Sequence, residues 1–506
     1  MQYASSGGDV VAIDLGTGSL RAALVDPTGR IRDSESIPLQ TSYPQHGWVE
    51  QAPEDWWSAL CAATRSLAAR HTNQTVSALC CCGHMHAPVL VDKAGELTAR
   101  TAMLWNDKRS EQTAQKLNEQ LTRLGGHGPF ANPATSAWPG VKLAWLAKHN
   151  PRLLDRSKTL LMPKDFLNLR LTGNAAMDWT EAGSSFLMDP DTRHWSVGNA
   201  GLLGIDMSLL PSILAPWDII GSVRTEASKR SGLPVSLPVS AGAGDYPCAI
   251  LGSGAVGEGA LSDITGTSYL LTAIGPRPVI DPMVMNVMTA DGQWGAFAVV
   301  DAAGDALRWL HKIISSKRIG FEDLNQRAEA VSAGAEGLLF LPYLTGERLG
   351  DGAASRGAFI GLSAKHDVGH MARAVMEGVA IAMHIASQPI WASRCPTGPI
   401  VAAAGGRKSD LWLRIKASVL GQAIRPTAEP ESGLLGCAAL AQVGSGTFAT
   451  VQQATNAYAA FGPDVVPDAT LKQVYADQIG LFETAKTALL PINRSLANIQ
   501  KISDTR

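Results

Sequence analysis

Two aspartates stand where phosphate chemistry would need them. Asp14 closes an apolar run and opens a Gly-Thr turn in VVAIDLGTGSLRAALVD (10–26). Asp245 follows a run of small residues in AGAGDYPC (241–248). A tight turn without Cβ bulk, here Gly16, Thr17 and Gly18, aims successive backbone N–H groups into a concavity, and a Thr hydroxyl adds a donor; such a nest suits phosphate oxygens. Asp14 lies one strand-end away, where a Mg²⁺ bridging phosphates needs a carboxylate, directly or through water. A second turn, Gly266, Thr267 and Ser268, joins the apolar runs ALSDI and YLLTAI. Each copy reads as a β-hairpin. The shared skeleton D-x-[GT]-[TG]-[GT]-S, at 14–19 and 263–268, points to internal duplication, with two related domains each offering a hairpin to one cleft. Asp245 falls between the hairpins in sequence. It fits the carboxylate that takes an acceptor hydroxyl's proton, since phosphoryl transfer asks little else beyond positioning and charge neutralisation. On local sequence alone an Asx-turn aspartate is an equal alternative.

A second group of candidates lies at the end of the strand in VSALCCCGHMHAPVLVD, where Gly83 to His86 form a polar bend. His84 and His86 could ligate a metal, but no third ligand lies in that element, and a structural histidine is as good a reading. Trp105 can line the same pocket, because an indole beside amides and hydroxyls holds polyols, though Trp is also a good core residue. Of the seven cysteines, Cys80 to Cys82 are consecutive. Side chains on a strand alternate faces, so these three cannot converge on one metal, and buried reduced thiols are expected.

The elements that must position these residues alternate strand and helix throughout, which gives an α/β class. A chain of 506 residues calls for two domains. The boundary falls near Gly252 to Gly259, giving domains 1–252 and 253–506. Trp56, Leu60, Ala63 and Leu67 share one face of a helix starting at Pro53. WPGVKLAWLAKH (138–149) and MPKDFLNLRLTG (162–173) read as helices, DWTEAGSSFLMD (178–189) as a polar turn, and 367–387 as a long amphipathic helix. Gly433 to Gly444 reads as a small-residue helix suited to close packing, and the tail from Pro467 as helix that frays. With 45% hydrophobic and 17% charged residues and a net charge of −2, the chain is globular and carries no basic stripe for nucleic acid or an anionic membrane. No signal peptide or 18-residue apolar run occurs, so a cytoplasmic location is expected. There is no Gly-Lys dipeptide and hence no Walker A loop. The GxGxxG match at 252–257 is followed by a hairpin pattern rather than a helix, which argues against a Rossmann site.

Taken together, these residues resemble the FGGY family of carbohydrate kinases. The most specific segment is GAFIGLSAKHDVGHMARAVMEG (357–378), similar to the family's C-terminal signature; WPGVKLAWLAKH is similar to its other signature through Pro139, Lys142, Trp145 and Leu146. The resemblance implies the duplicated actin/hexokinase-type (ribonuclease H-like) ATPase fold around a central cleft, with ATP and Mg²⁺. It makes Asp14 the acidic residue of the first phosphate hairpin, Gly266-Thr267-Ser268 the second hairpin and Asp245 the catalytic base. Gly405, Gly406 and Ser409 resemble the adenosine-binding segment, and Gly304, at the small-residue entry to the helix in VVDAAGDALRWLHKI, joins the nucleotide set. FLPYLTGER (340–348) resembles the loop near the nucleotide. On the sugar side, GHMHAPVLVD is similar to the segment of the family's xylulose-phosphorylating members whose Met-His pair contacts sugar, here Met85 and His86. His84, Ala87 and Tyr246 depart from that pattern, Tyr246 replacing an Asn beside the base that touches sugar in those members. The implied activity is ATP-dependent phosphorylation of a pentulose such as D-xylulose, giving the 5-phosphate. A kinase for another ketose or polyol (ribulose, an alditol, a glycerol-like triol) is the alternative, and a non-catalytic sugar-sensing relative a further one. The implied partners are the sugar and ATP, with no nucleic acid or membrane; a homodimer is left open.

Overall fold

The computed structural model describes residues 1–3, 7–126, 128–314, 320–349 and 354–504. Residues 350–353 of the expected polar loop and the last two of the tail lie outside the described residues. Two sheets carry the architecture. The first is built from β1 (Asp9–Leu15), β2 (Ser19–Val25), β3 (Ile31–Pro38), β4 (Thr75–Gly83), β5 (Ile219–Ser222) and β6 (Pro238–Gly244), in the order β5-β6-β4-β1-β2-β3. A short strand, Gln2–Tyr3, adds to β4. The second sheet uses β7 (Leu261–Thr265), β8 (Tyr269–Gly275), β9 (Met285–Met288), β10 (Trp294–Val300), β11 (Ile400–Ala403) and β12 (Ile424–Pro426), in the order β9-β10-β8-β7-β11-β12. In each, an antiparallel hairpin leads into strands that run parallel: β2-β1-β4-β6 in the first and β8-β7-β11-β12 in the second. This is the duplication expected from the two Asp-turn-Ser skeletons.

The helices that pack on these sheets around the site are α1 (Pro53–Arg70), α2 (Pro139–His149), α3 (Pro163–Thr172), α4 (Trp179–Gly183), α5 (Asp245–Gly252), α6 (Gly304–Ile314), α7 (Val368–Trp391), α8 (Asp410–Leu420) and α9 (Ser432–Gly444). Every residue of β1 is buried because both faces of its sheet are covered. Val11, Ile13 and Cys81 face α1, whose Trp56, Leu60, Ala63 and Leu67 are buried as their spacing predicts. Val10, Ala12, Cys80 and Cys82 face α9, a helix from the second half of the chain. Among the described residues no helix is long and apolar enough to cross a membrane.

Three elements differ from the sequence reading. The expected Gly-rich turn at Asp245 is the first residue of α5, because apolar Cys248, Ile250 and Leu251 find burial on one side once the chain leaves β6. The expected polar turn at 178–189 contains α4, where Thr180 to Gly183 are all buried. Helix α7 is not amphipathic in its middle: Ala372 to Met383 are buried without a break, so its period is overridden by burial on all sides. The GxGxxG segment ends α5 and passes to β7 without opening a helix, as read.

Helices α5 and α9 meet at backbone distance. A Cβ on Gly436 would lie 2.1 Å from the Cys248 carbonyl oxygen, and one on Gly252 would lie 1.9 Å from that of Ser432. Neither neighbour is a side chain that can swing away. Gly436→Ala is therefore expected to destabilise the protein by about 1–3 kcal/mol or more through overpacking. Gly480→Ala, in the C-terminal helix with no atom within 4 Å of the added carbon, is expected to stabilise by about 0.5–1 kcal/mol. Denaturant midpoints of the two variants check both signs; equal effects would show that α5 and α9 are not in tight contact.

Candidate active site

One cleft of about 650 Å³ lies between the sheets. Its wall brings together Asp14, Gly16, Thr17, Met85, His86, Trp105, Asp245, Tyr246, Gly266, Thr267, Ser268 and Gly405. Four expected residues are not on that wall. Gly406 is buried against Thr265, where a Cβ would come within 2.5 Å. Ser409 caps α8, accepting from the Trp412 N–H at 3.2 Å. Gly304 lies behind the second hairpin: a Cβ there would meet the Gly266 carbonyl at 2.1 Å, so its glycine lets α6 abut the turn. The Gly18 carbonyl accepts from the Leu39 N–H at 3.0 Å.

Asp245 reaches the cleft because β6 is held from behind. Gly242, with φ of 76°, lets the strand bulge against Cys81, where a Cβ would be 1.9 Å from the carbonyl oxygen. Gly244 leaves room for the Met85 sulfur, 2.6 Å from where its Cβ would be. The Gly244 N–H donates to Thr180 Oγ1 at 2.9 Å, and Thr180 in turn bonds Asp178. Lys164 Nζ lies 2.8 Å from Asp178 and also pairs with Asp165. A buried ion pair thus fixes the backbone that presents Asp245. Burial, then the nearby Asp14 charge, raise the Asp245 carboxyl to about 8. Burial also pushes the Glu181 carboxyl, behind it, well above the usual carboxylate range, against the opposing pull of Lys164.

Asp14 ends β1 and pairs across the hairpin with Arg21, which also binds Glu431 from the second half of the chain. Its Oδ1 lies 3.5 Å from Cys82 Sγ. The bend at Gly83 to His86 is held by Lys142 of α2, whose buried ammonium donates to the carbonyls of His86 at 2.7 Å and Leu104 at 2.6 Å. That anchor supports the left-handed His86, with φ of 69°. Burial and the Lys142 charge lower the His86 imidazole to about 3, so it stays neutral. Its ring meets Trp138 edge-on at 4.9 Å. Both ring nitrogens of His84 and Nδ1 of His86 are buried without a protein partner.

Two expected sugar contacts have their polar atoms engaged elsewhere. Trp105 Nε1 donates to Thr17 Oγ1 at 3.2 Å. The Tyr246 hydroxyl bonds Thr272 of β8, and its ring meets Phe297 of β10 edge-on at 5.4 Å. Tyr246 therefore turns its ring to the cleft and its OH to the opposite sheet. Sequence reading missed Arg21, Trp138, Phe297, Arg348 and Glu431 as wall residues. Arg348, in the segment read as lying near the nucleotide, sits over Trp105 at 5.3 Å and binds Asp301 at 2.6 Å. Arg21 had a signal, since it faces Asp14 in any two-strand pairing of the first hairpin; Glu431 had none.

The description "FGGY family of carbohydrate kinases, N-terminal domain" matches residues 10–252, and its C-terminal counterpart matches 261–445. The xylulose kinase of Lactococcus lactis subsp. lactis (strain IL1403) is 30% identical over 480 residues, 92% of this chain and 95% of that protein. The gluconokinase of Bacillus licheniformis is 26% identical over 86% of this chain and 88% of its own. The crystal structure of xylulose kinase from Rhodospirillum rubrum superposes with a TM-score of 0.88 at 27% identity, covering 96% of this chain and all of that one.

The raised Asp245 carboxyl has a consequence for stability. Its folded value, about 8, exceeds the unfolded 3.8, so between these values the folded state binds the extra proton and stability falls as pH rises. Asp245→Asn removes that dependence. The melting temperature of the variant is expected to rise relative to wild type as pH goes from about 5 to about 9, the window set by this linkage. A constant difference across the range would mean that Asp245 is not shifted.

Proposed function

Because the chain belongs to the FGGY family of carbohydrate kinases, and so transfers phosphate from ATP to a sugar hydroxyl, we propose that its acceptor is a pentulose, D-xylulose first, phosphorylated at the C5 hydroxyl. The observation that carries this reading is the convergence of Asp245, the Met85-His86 bend and both Gly-Thr hairpins on one cleft. In this reading Asp245 accepts the hydroxyl proton and is the catalytic base. Gly16, Thr17 and Gly18 on one side and Gly266, Thr267 and Ser268 on the other donate to phosphate oxygens. Gly405 borders the adenosine end, with Gly304, Gly406 and Ser409 shaping its backbone from behind. Met85, His86 and Trp105 line the sugar end, and Tyr246 narrows it.

Asp14 fits a magnesium role through the ion's water shell. Both carboxylate oxygens are held by the chain, Oδ2 by Arg21 and Oδ1 by Cys82 Sγ at 3.5 Å, and Gly433, whose Cβ would be 3.3 Å from Oδ2, leaves room beside the pair for the ion's waters. A hard cation that keeps several waters needs one or two carboxylates. When bound it supplies charge neutralisation on the transferring phosphate; the chain's own part is to hold the carboxylate still, which Arg21 and β4 do. The domain division at 252/253 is supported by the separate sheets, with α9 returning to cover the first. A cytoplasmic setting fits the unbridged cysteines, seven among the described residues.

The gluconokinase relative keeps a second acceptor class in view, a sugar acid or polyol, and Tyr246 is the residue on which the choice turns. Its hydroxyl is bonded to Thr272, so it offers the acceptor an apolar face rather than a donor. Asp245→Asn is expected to lower kcat by about 10²–10⁴-fold, the usual contribution of a general base, while ATP binding by calorimetry is kept. Retention of more than a tenth of wild-type turnover would reduce Asp245 to a helix-start residue. The acceptor is decided by kcat/KM for D-xylulose, D-ribulose, gluconate, xylitol and glycerol, in wild type and Tyr246→Asn. D-xylulose is expected to lead, with ratios that move in the variant. If another acceptor leads, the pentulose assignment fails; if no ratio moves, Tyr246 does not face the acceptor.

A further inference from the structure

Directly behind the cleft three thiols from three elements converge. Cys82 ends β4, Cys248 lies one turn into α5, and Cys437 lies in α9; all three are fully buried. Their sulfurs lie within 4.8 Å of one another, with Cys248 and Cys437 at 4.0 Å. The consecutive cysteines of β4 gave no hint of this. Cys81 faces α1, but Cys80 and Cys82 share the opposite face, where α5 and α9 each bring one more.

Two thiolates on one zinc-class ion, each about 2.3 Å from it in tetrahedral geometry, are about 3.8 Å apart. The Cys248–Cys437 separation matches that spacing. The three sulfurs therefore stand at or near the spacing of thiolate ligands, and soft thiolate sulfur selects a zinc-class cation over magnesium. The alternative, three packing thiols, explains their burial. It also accounts for the bonds from Cys82 Sγ to Asp14 Oδ1 at 3.5 Å and from Cys437 Sγ to the Ile13 carbonyl at 3.3 Å; it does not explain why sulfurs from three separate elements meet within 4.8 Å of one another.

We infer that Cys82, Cys248 and Cys437 form a binding site for one thiophilic divalent cation, and that its occupation inhibits the kinase. Binding replaces three S–H protons by one ion: M²⁺ plus three thiols gives a tris-thiolate complex and three protons, with no change of oxidation state. The ion would tie β4, α5 and α9 together and remove the hydrogen bond from the Cys82 thiol that holds Asp14 Oδ1. The site thus sits behind Asp14 without lying in the substrate path.

The test titrates the reduced, metal-free full chain with Cd²⁺, both folded and during refolding so that burial does not bar entry. The expected result is one cadmium per chain by native mass spectrometry, with an ultraviolet thiolate-to-cadmium charge-transfer band. Cys437→Ala should weaken binding by more than about tenfold, the loss that follows even from removing an outer-shell partner. Cys395→Ser, at the exposed cysteine, should leave binding unchanged. Absence of the wild-type band in both titrations, or a full band in Cys437→Ala, overturns the site; the wild-type arm needs no variant to fold. For inhibition, Zn²⁺ is added at saturating Mg²⁺ and ATP. Turnover of wild type should fall, and that of Cys437→Ala should resist. Equal inhibition of both would place the zinc effect elsewhere and overturn the regulatory part.

Discussion

The contact on which the rest depends is the backbone-to-backbone seating of α5 against α9. Asp245 begins α5, so its position along the cleft is set by how closely that helix can lie on its neighbour. Gly252 and Gly436 remove the two Cβ atoms that would hold the helices apart. Because α9 comes from the far half of the chain and covers β1, β4 and β6, the same contact joins the strand that bears Asp14 to the helix that bears Asp245. Two carboxylates of the cleft wall are thereby held by one packed unit, although 231 positions separate them. Packed interiors resist even one added methyl, which makes this seating an all-or-none requirement rather than a tunable one.

The duplication that organises the fold has diverged at its matching aspartates. Asp14 opens on the cleft and is steadied by a part-exposed Arg21. Asp263, its counterpart on β7, is fully buried and bound to Lys416 Nζ at 2.8 Å, with Thr265 bonded to both. A buried pair of this kind is costly to break from one side, so the second copy has become a strut beneath its own turn. That turn is further fixed where α6 presses on Gly266 and Arg308 bonds Thr267 at 3.1 Å. One hairpin therefore keeps a carboxylate for the cleft and the other has turned its carboxylate inward.

Much of this was legible in the sequence because it rests on local pattern. The hairpins, the bend at His86, α1 and the small-residue α9 follow from period, turn chemistry and glycine content, and the fold class from their alternation. What escaped reading depends on contacts between distant segments. Helix α5 looked like a turn because Gly-rich flanks masked its apolar residues, of which Cys248 and Leu251 pack into the core that α9 completes and Ile250 packs with Ala255, Ile274 and Val401. Helix α4 looked polar because Thr180 and Glu181 are buried only by tertiary packing, Thr180 to hold Gly244. Glu431 joined the wall from a loop without period or motif, and Arg348 from the 340–348 segment whose resemblance did not single out that side chain. Ser409 and Gly406 were read as binding residues, yet their observed contacts are a helix cap and a close backbone approach. The same residue types serve both ends, and only the three-dimensional neighbourhood separates them.

The buried lysines show how the site is kept ready without crowding it. Lys142 grips the carbonyls under the His86 bend, Lys164 holds the carboxylates behind β6, and Lys416 holds Asp263 beneath the second hairpin. None of the three is on the cleft wall. Each nitrogen meets its partners behind the surface it supports and so shapes backbone rather than competing for ligand; Lys142, whose partners are neutral carbonyls, is lowered by burial to about 7. The acidic surroundings of Lys164 outweigh the cost of its burial and keep it charged, while burial lowers Lys416 against the opposing pull of Asp263. The consequence is seen in what is left unpaired. His84 and His86, on the cleft wall and neutral, have ring nitrogens without protein partners. A neutral imidazole can donate and accept, and unmet buried polar atoms are costly unless something arrives to meet them. A polyhydroxylated acceptor, each hydroxyl both donor and acceptor, is the ligand whose chemistry answers that deficit.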